Sequence, residues 1–127
     1  MDCIFCKIIK GDIPSYTVYE NEYVKCFLDF NPINMGHTLI VPKKHYQDFF
    51  DIDEKTLTNI LKVAKEISNR IKERLNCDGI TLAQNNGLGQ DVKHYHLHLI
   101  PRYENDNIEF IKPTNLDSVE DVYKKMS

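Results

Sequence analysis

The sequence predicts an α+β fold with a mainly antiparallel five-stranded sheet, one long helix and a short N-terminal helix. Three observations carry this. Apolar residues recur at helical spacing over one long stretch, Glu54 to Leu75. Five short β-branched or aromatic runs are bounded by turn residues. Those runs follow one another as hairpins around the single long helix rather than alternating with helices.

In chain order, Ile4 to Lys10 reads as one or two helical turns stopped by Gly11 and Pro14. Val18 to Glu20 and Tyr23 to Asp29 read as a hairpin turning at Asn21-Glu22. Asn31 to Gly36 is a loop, and Thr38 to Val41 is an apolar strand ending at Pro42. In the long helix Leu57, Ile60, Leu61, Ala64, Ile67, Ile71 and Leu75 form one stripe, with Asp51 or Asp53 as the cap and Gly79 beyond the end. Ile80 to Asn85 and Lys93 to Pro101 are the last strands, joined through Asn86-Gly-Leu-Gly, and a short helix follows near Val119 to Lys125.

With 127 residues and no repeats or linkers, residues 1–127 read as a single domain. A net charge of −3 argues against a nucleic-acid binder, which needs a basic face. No apolar run reaches the ~20 residues that cross a bilayer, so no membrane partner is expected. The first residues lack a basic region followed by an apolar stretch, which makes the cytoplasm the expected location. In that setting Cys3-x-x-Cys6 reads as a metal or redox pair, whereas Cys26 and Cys77 read as plain thiols.

His94-Tyr-His96-Leu-His98-Leu is the most informative segment. On a strand, residues two apart lie roughly 6.6 Å from each other along one face. The three histidines then share a face, and Tyr95, Leu97 and Leu99 enter a core. Two chemistries suit such a row: a metal site, or nucleophilic attack by one imidazole flanked by another acting as donor. Neutral imidazole has a free lone pair near pH 7, and its phosphoramidate is labile to water.

Gly89-Gln-Asp-Val-Lys-His94-Tyr-His96-Leu-His98-Leu-Ile-Pro-Arg resembles the histidine-triad motif. Cys3-Ile-Phe-Cys-Lys-Ile-Ile, Phe27-Leu-Asp-Phe-Asn-Pro, Gly36-His-Thr-Leu-Ile-Val-Pro-Lys-Lys-His45 and Asn85-Asn-Gly extend the resemblance to the bacterial Hint-type branch of that family over nearly the whole chain. The resemblance implies a homodimer with joined sheets and a nucleotide site in each protomer. It implies His96 as nucleophile, His98 and Gln90 at the phosphate, His37 beside the triad, and Asn85 at the phosphate and ribose. Asp29 would accept the ribose hydroxyls, and Ile4, Phe5, Ile8 and Phe30 would line the slot for a purine base of AMP or GMP type. A structural zinc ion would be held by Cys3, Cys6, His45 and His94, with no organic cofactor. The implied activity is hydrolysis or transfer at the α-phosphorus of purine nucleoside phosphoramidates or related conjugates. A diadenosine-polyphosphate hydrolase and a zinc-stabilised nucleotide-binding adaptor are the alternatives.

Some residues carry a bland reading as well. Asp29 also fits a turn cap, the apolar slot also fits ordinary core, and Lys43, Lys44 and Arg102 fit a solvated surface. Two features depart from the family pattern: the Asn85–Gln90 loop is shorter than usual, and Asp91 stands where many members carry Ser or Thr. An ionised carboxylate there repels phosphate, so Asp91 is expected to point away or to act as a protonated acid.

Overall fold

The computed structural model describes residues 3–127. Its elements are α1 (Ile4–Lys10), β1 (Thr17–Glu20), β2 (Val24–Leu28), β3 (Thr38–Pro42), α2 (Glu54–Leu75), β4 (Gly79–Ala83), β5 (Leu97–Arg102) and α3 (Val119–Met126). The strands form one five-stranded antiparallel sheet, as the sequence predicts, and their order is β1-β2-β3-β5-β4.

Local chemistry sets the boundaries. Gly11 closes α1 in the left-handed region at φ 88, its N–H donating to the Ile8 and Lys7 carbonyls. The Asn21 side chain turns the β1–β2 hairpin by accepting from the Tyr23 and Val24 N–H groups at 2.8 and 3.0 Å. Asp53 is the cap of α2, accepting from Thr56 N–H at 2.8 Å, while Asp51 instead holds the Gln47 and Asp48 N–H groups. Asn76, in the left-handed region, ends α2 three residues ahead of Gly79, which opens β4.

The two sheet faces build two cores. On one side Val24, Cys26, Ile40, Tyr95, Leu97 and Leu99 pack against Ile60, Val63, Ala64, Ile67 and Ile71 of α2. On the other, Phe27, Leu39 and Val41 meet Cys3, Phe5 and Ile8 from the N-terminal segment. The α2 stripe is narrower than the sequence suggests: Leu61 and Leu75 are exposed, and Val63 and Thr56 are buried in the helix instead. A face fixed by the sheet beneath it admits only part of a seven-residue stripe.

The last two strands are shorter than predicted. β4 stops at Ala83, after which Gln84 and Asn86 bond each other through both side-chain amides at 2.8 Å. β5 starts at Leu97, so His94 and His96 precede the hydrogen-bonded ladder. Pro42 explains the late start. It has no N–H to extend the β3–β5 ladder, its carbonyl takes the His94 imidazole at 2.8 Å, and the Tyr95 N–H turns to the Tyr46 carbonyl at 2.7 Å. Side-chain alternation continues through this stretch, with Tyr95 in the α2 core and both histidines on the opposite face.

Gly36, at φ +91, turns the chain into β3 immediately before His37, and a Cβ there would overlap the Leu75 side chain. Gly36→Ala should therefore lower stability by about 1–2 kcal/mol, the cost of a side chain in the left-handed region. A urea midpoint that falls at constant m value would show it.

Candidate functional site

On the sheet face opposite α2, a cavity of about 170 Å³ is walled by Ile4, Phe5 and Ile8, by Phe27, Asp29 and Phe30, and by Asp91, His96 and His98. Asn31, Leu39 and Val92 complete its lining. Phe5 and Ile8 are buried core and cavity wall together, while Phe30 is 61% exposed at the rim. Phe27 and Leu39 were missed as wall residues; each lies two positions from a named site residue, Asp29 and His37, on the same strand face, so the period of two held the signal.

Backbone partners fix the imidazoles. His96 is buried and its Nδ1 lies 2.8 Å from the His94 carbonyl. A carbonyl can only accept, so Nδ1 carries the proton and Nε2 of the neutral ring keeps a lone pair. Ring packing on Phe5 and His98, with centroids at 5.0 and 4.8 Å, holds that orientation.

A second relay begins at the Ile33 N–H, which donates to His37 Nδ1 at 3.0 Å. His37 must then carry its proton on Nε2, which lies 2.9 Å from His98 Nδ1 and 3.5 Å from Asp29 Oδ2. Donation to His98 Nδ1 leaves His98 with an Nε2–H on the other side of its ring. Burial lowers the pKa of His37 and pushes His98 down to about 4, with neighbouring imidazoles adding to the His98 shift. Both rings are neutral near pH 7. Asp29, His37 and His98 are close enough together to suggest a cation site, but the Ile33 N–H requires His37 Nδ1 to accept and so keeps a proton on the nitrogen that would have to bind.

Beside this cavity lies a different cluster. Cys3 Sγ is 3.4 Å from His94 Nδ1, Cys6 Sγ is 3.3 Å from His45 Nδ1 and 3.6 Å from His94 Nδ1, and the two Nδ1 atoms are 3.0 Å apart. His94 donates its Nε2–H to the Pro42 carbonyl, so a bare Nδ1 lone pair points at three other donor atoms. Burial pushes His94 down to about 4, which keeps that lone pair free. A tetrahedral ion with two sulfur and two nitrogen ligands has S···N edges of roughly 3.6 Å and an N···N edge of about 3.3 Å. The four residues fit such a metal ion. Cys26, by contrast, is a buried thiol pushed up to about 12, in keeping with its plain reading.

Other expectations meet a different geometry. Gln90 is buried and outside the cavity lining: its Oε1 accepts from Gly87 N–H at 3.2 Å and its Nε2 donates to the Gln47 carbonyl at 2.6 Å. The short loop uses this amide to close itself. Asn85 is exposed and also off the cavity, its side chain lying beside Gly89. Asp29 Oδ1 caps the turn at Asn31 N–H (2.9 Å), and the residue also lines the cavity. Asp91 does not point away: its Oδ1 lies 3.6 Å from His96 Nε2. Lys43 pairs with Glu20, Lys44 lies over Tyr46, Arg102 pairs with Asp106, and none of the three lines the cavity.

An α+β domain that sets three alternate histidines beside an apolar cavity defines a histidine-triad class of protein. The HIT domain model matches residues 10–105, and the chain belongs to the HIT family. An uncharacterized HIT-like protein of Methanocaldococcus jannaschii is 49% identical over 123 residues, covering 92% of this chain and 95% of that protein. An adenosine 5′-monophosphoramidase of Saccharomyces cerevisiae is 43% identical over 79% of this chain and 62% of its own length. The solved structure of a Zn-bound histidine triad family protein from Mycobacterium smegmatis superposes with a TM-score of 0.81 at 36% identity, covering 91% of this chain and 85% of that one. Among the described residues no helix is long and apolar enough to cross a membrane.

The neutral His37–His98 pair makes stability depend on pH. Unfolded imidazoles take up protons below about 6.5, whereas these folded rings resist protonation until lower pH. Their contribution is complete above pH 6.5 and is lost as pH falls through about 4. Metal-stripped protein should show a urea midpoint that declines over this window, and His98→Asn should decline less.

Proposed function

We propose that the protein hydrolyses or transfers nucleotides at the α-phosphorus of purine nucleoside phosphoramidates or related conjugates, through a covalent nucleotidyl intermediate on His96. The observation that carries this is the His96 tautomer: Nδ1 is tied to the His94 carbonyl at 2.8 Å, and Nε2 keeps its lone pair at the cavity, with the Asp91 carboxylate 3.6 Å away. The base would occupy the slot of Ile4, Phe5, Ile8 and Phe30, and Asp29 Oδ2, which does not serve the turn cap, would accept a ribose hydroxyl. His98, donating from Nε2 and held by His37, would meet a non-bridging phosphate oxygen as charge develops there. Gln90 would act by shaping the loop beside the phosphate, since its amide bridges the Gly87 N–H and the Gln47 carbonyl. The monophosphoramidase activity in the name of the yeast relative supports the amine-linked substrate class.

Two in-line displacements give retention at phosphorus. After a brief acid quench, mass spectrometry should find an AMP adduct on His96. His96→Ala should lack the adduct and lose turnover by about 10³-fold or more. Turnover without an adduct, or an adduct on another residue, would overturn the assignment.

The metal held by Cys3, Cys6, His45 and His94 is proposed to be zinc, with a structural role. When bound, it would tie the N-terminal segment to the histidine strand. Purified protein should contain about one zinc per chain by elemental analysis, and the Cys3→Ala/Cys6→Ala variant should lose it along with thermal stability. Unchanged metal content would remove the idea. A homodimer that continues the sheet is part of the same reading, supported by the open edge of β4 with its half-exposed Leu82.

A further inference from the structure

We propose that Asp91 is a specificity-determining residue for the leaving group, favouring one that carries positive charge over one that carries negative charge. The proposal rests on the nucleotidyl-His96 reading and adds to it a chemical requirement on the group expelled.

The case begins with position. Asp91 Oδ1 lies 3.6 Å from His96 Nε2, and the Asp91 side chain is 85% exposed. The same oxygen accepts from the Val92 N–H at 3.0 Å, so the carboxylate is seated on its own loop at the solvent edge of the cavity. The proposed nucleoside slot of Ile4, Phe5, Ile8 and Phe30 takes up much of the apolar lining. Phosphorus approaching Nε2 displaces the carboxylate, and a rotation about χ1 moves it by only a few ångströms. It therefore stays on the rim past which the expelled group must leave.

Charge decides what that rim favours. Asp29 and Asp91 line the cavity, and among the described residues no lysine or arginine does. The nearest lysine in sequence, Lys93, directs its ammonium to the Gly87 and Gln90 carbonyls at 3.2 and 3.0 Å. Among the described lining residues no cation offsets a polyphosphate leaving group, whose charge the Asp91 carboxylate repels. A departing amine meets the opposite field. His96 Nε2 bonds to phosphorus as the phosphorus–amine bond breaks. The nitrogen takes a proton from solvent as it leaves with that bond's electron pair, and the free amine takes a second to depart as an ammonium ion beside Asp91. Water then attacks phosphorus, the pair of the His96–phosphorus bond returns to Nε2, and the water's proton passes to solvent as the nucleotide is released.

The test uses adenosine 5′-phosphoramidates of matched length made with diaminopropane (cationic), butylamine (neutral) and β-alanine (anionic). For the intact protein kcat/KM should fall in that order. One exposed charge pair is worth about fivefold in rate, so the cationic-to-anionic ratio should exceed about tenfold. Asp91→Asn should compress the ratio towards one, and Asp91→Lys should invert it, with the His96 adduct still formed in both. If Asp91→Asn keeps the original ranking and still forms the adduct, Asp91 plays no part in selection and only this proposal falls. If no compound gives an adduct on His96 in the intact protein, the catalytic reading falls and takes this one with it.

Discussion

His94 connects the parts of the site through three different groups. Its Nε2–H is spent on the Pro42 carbonyl, its Nδ1 faces Cys3, Cys6 and His45, and its own carbonyl receives the His96 Nδ1–H. Each bond determines the next. If Pro42 did not accept, His94 could present either nitrogen to the sulfurs. If the backbone at residue 94 moved, the His96 proton could shift to the nitrogen that must stay bare. A buried hydrogen bond contributes only about 1 kcal/mol net, but an orphaned partner costs about 1–3 kcal/mol, so the set is held as much by the penalty for breaking it as by its own strength.

The sheet supplies the rigidity that this arrangement needs. Leu39 pairs with His98, and Ile40 with Leu97, so the β3–β5 ladder fixes the backbone just after His96. The opposite faces of the same residues are filled by the α2 core. Placing reactive groups on a strand with a packed reverse side limits their movement more than a loop would. The N-terminal segment closes the other side: Phe5 and Ile8 bury themselves on Phe27 and Leu39, and the exposed parts of that contact become the cavity wall. One small core thus seats α1 and shapes the slot, with Cys3 and Cys6 brought to the edge of the histidine strand by the same packing.

Most of what depended on periodicity or local capping was legible in the sequence, although Leu61 and Leu75 fall outside the buried stripe of α2. The strand alternation put the histidines on one face and Tyr95, Leu97 and Leu99 on the other, even though His94 and His96 lie outside the ladder. Gly11, Asn21 and Asp53 carried their turns and caps through short-range bonds that involve near neighbours. Long-range hydrogen-bond partners were not legible. Nothing in the local sequence says that the Gln90 amide will meet the Gln47 carbonyl, 43 positions away, or that Pro42 will receive His94 across 52. Those partners decide which donors remain for a ligand, and so the roles that the resemblance implied for Gln90 and Asn85 meet side chains off the cavity lining, and the orientation of Asp91 was left open.

The same partners define the electrostatic character of the cavity. A phosphate here would meet no fixed cation among the described lining residues. The donor that remains is the neutral His98 imidazole, oriented by His37 and ultimately by the Ile33 N–H. Neutral dipoles aimed in advance can stabilise charge that grows during reaction without binding the ground-state anion tightly. The carboxylates bracket that centre, Asp29 beside His37 and Asp91 beside His96. An anion is then favoured only in the narrow space between them, where the donor of one imidazole and the lone pair of another meet. On the proposed function, charge would thereby locate the phosphate as firmly as shape does.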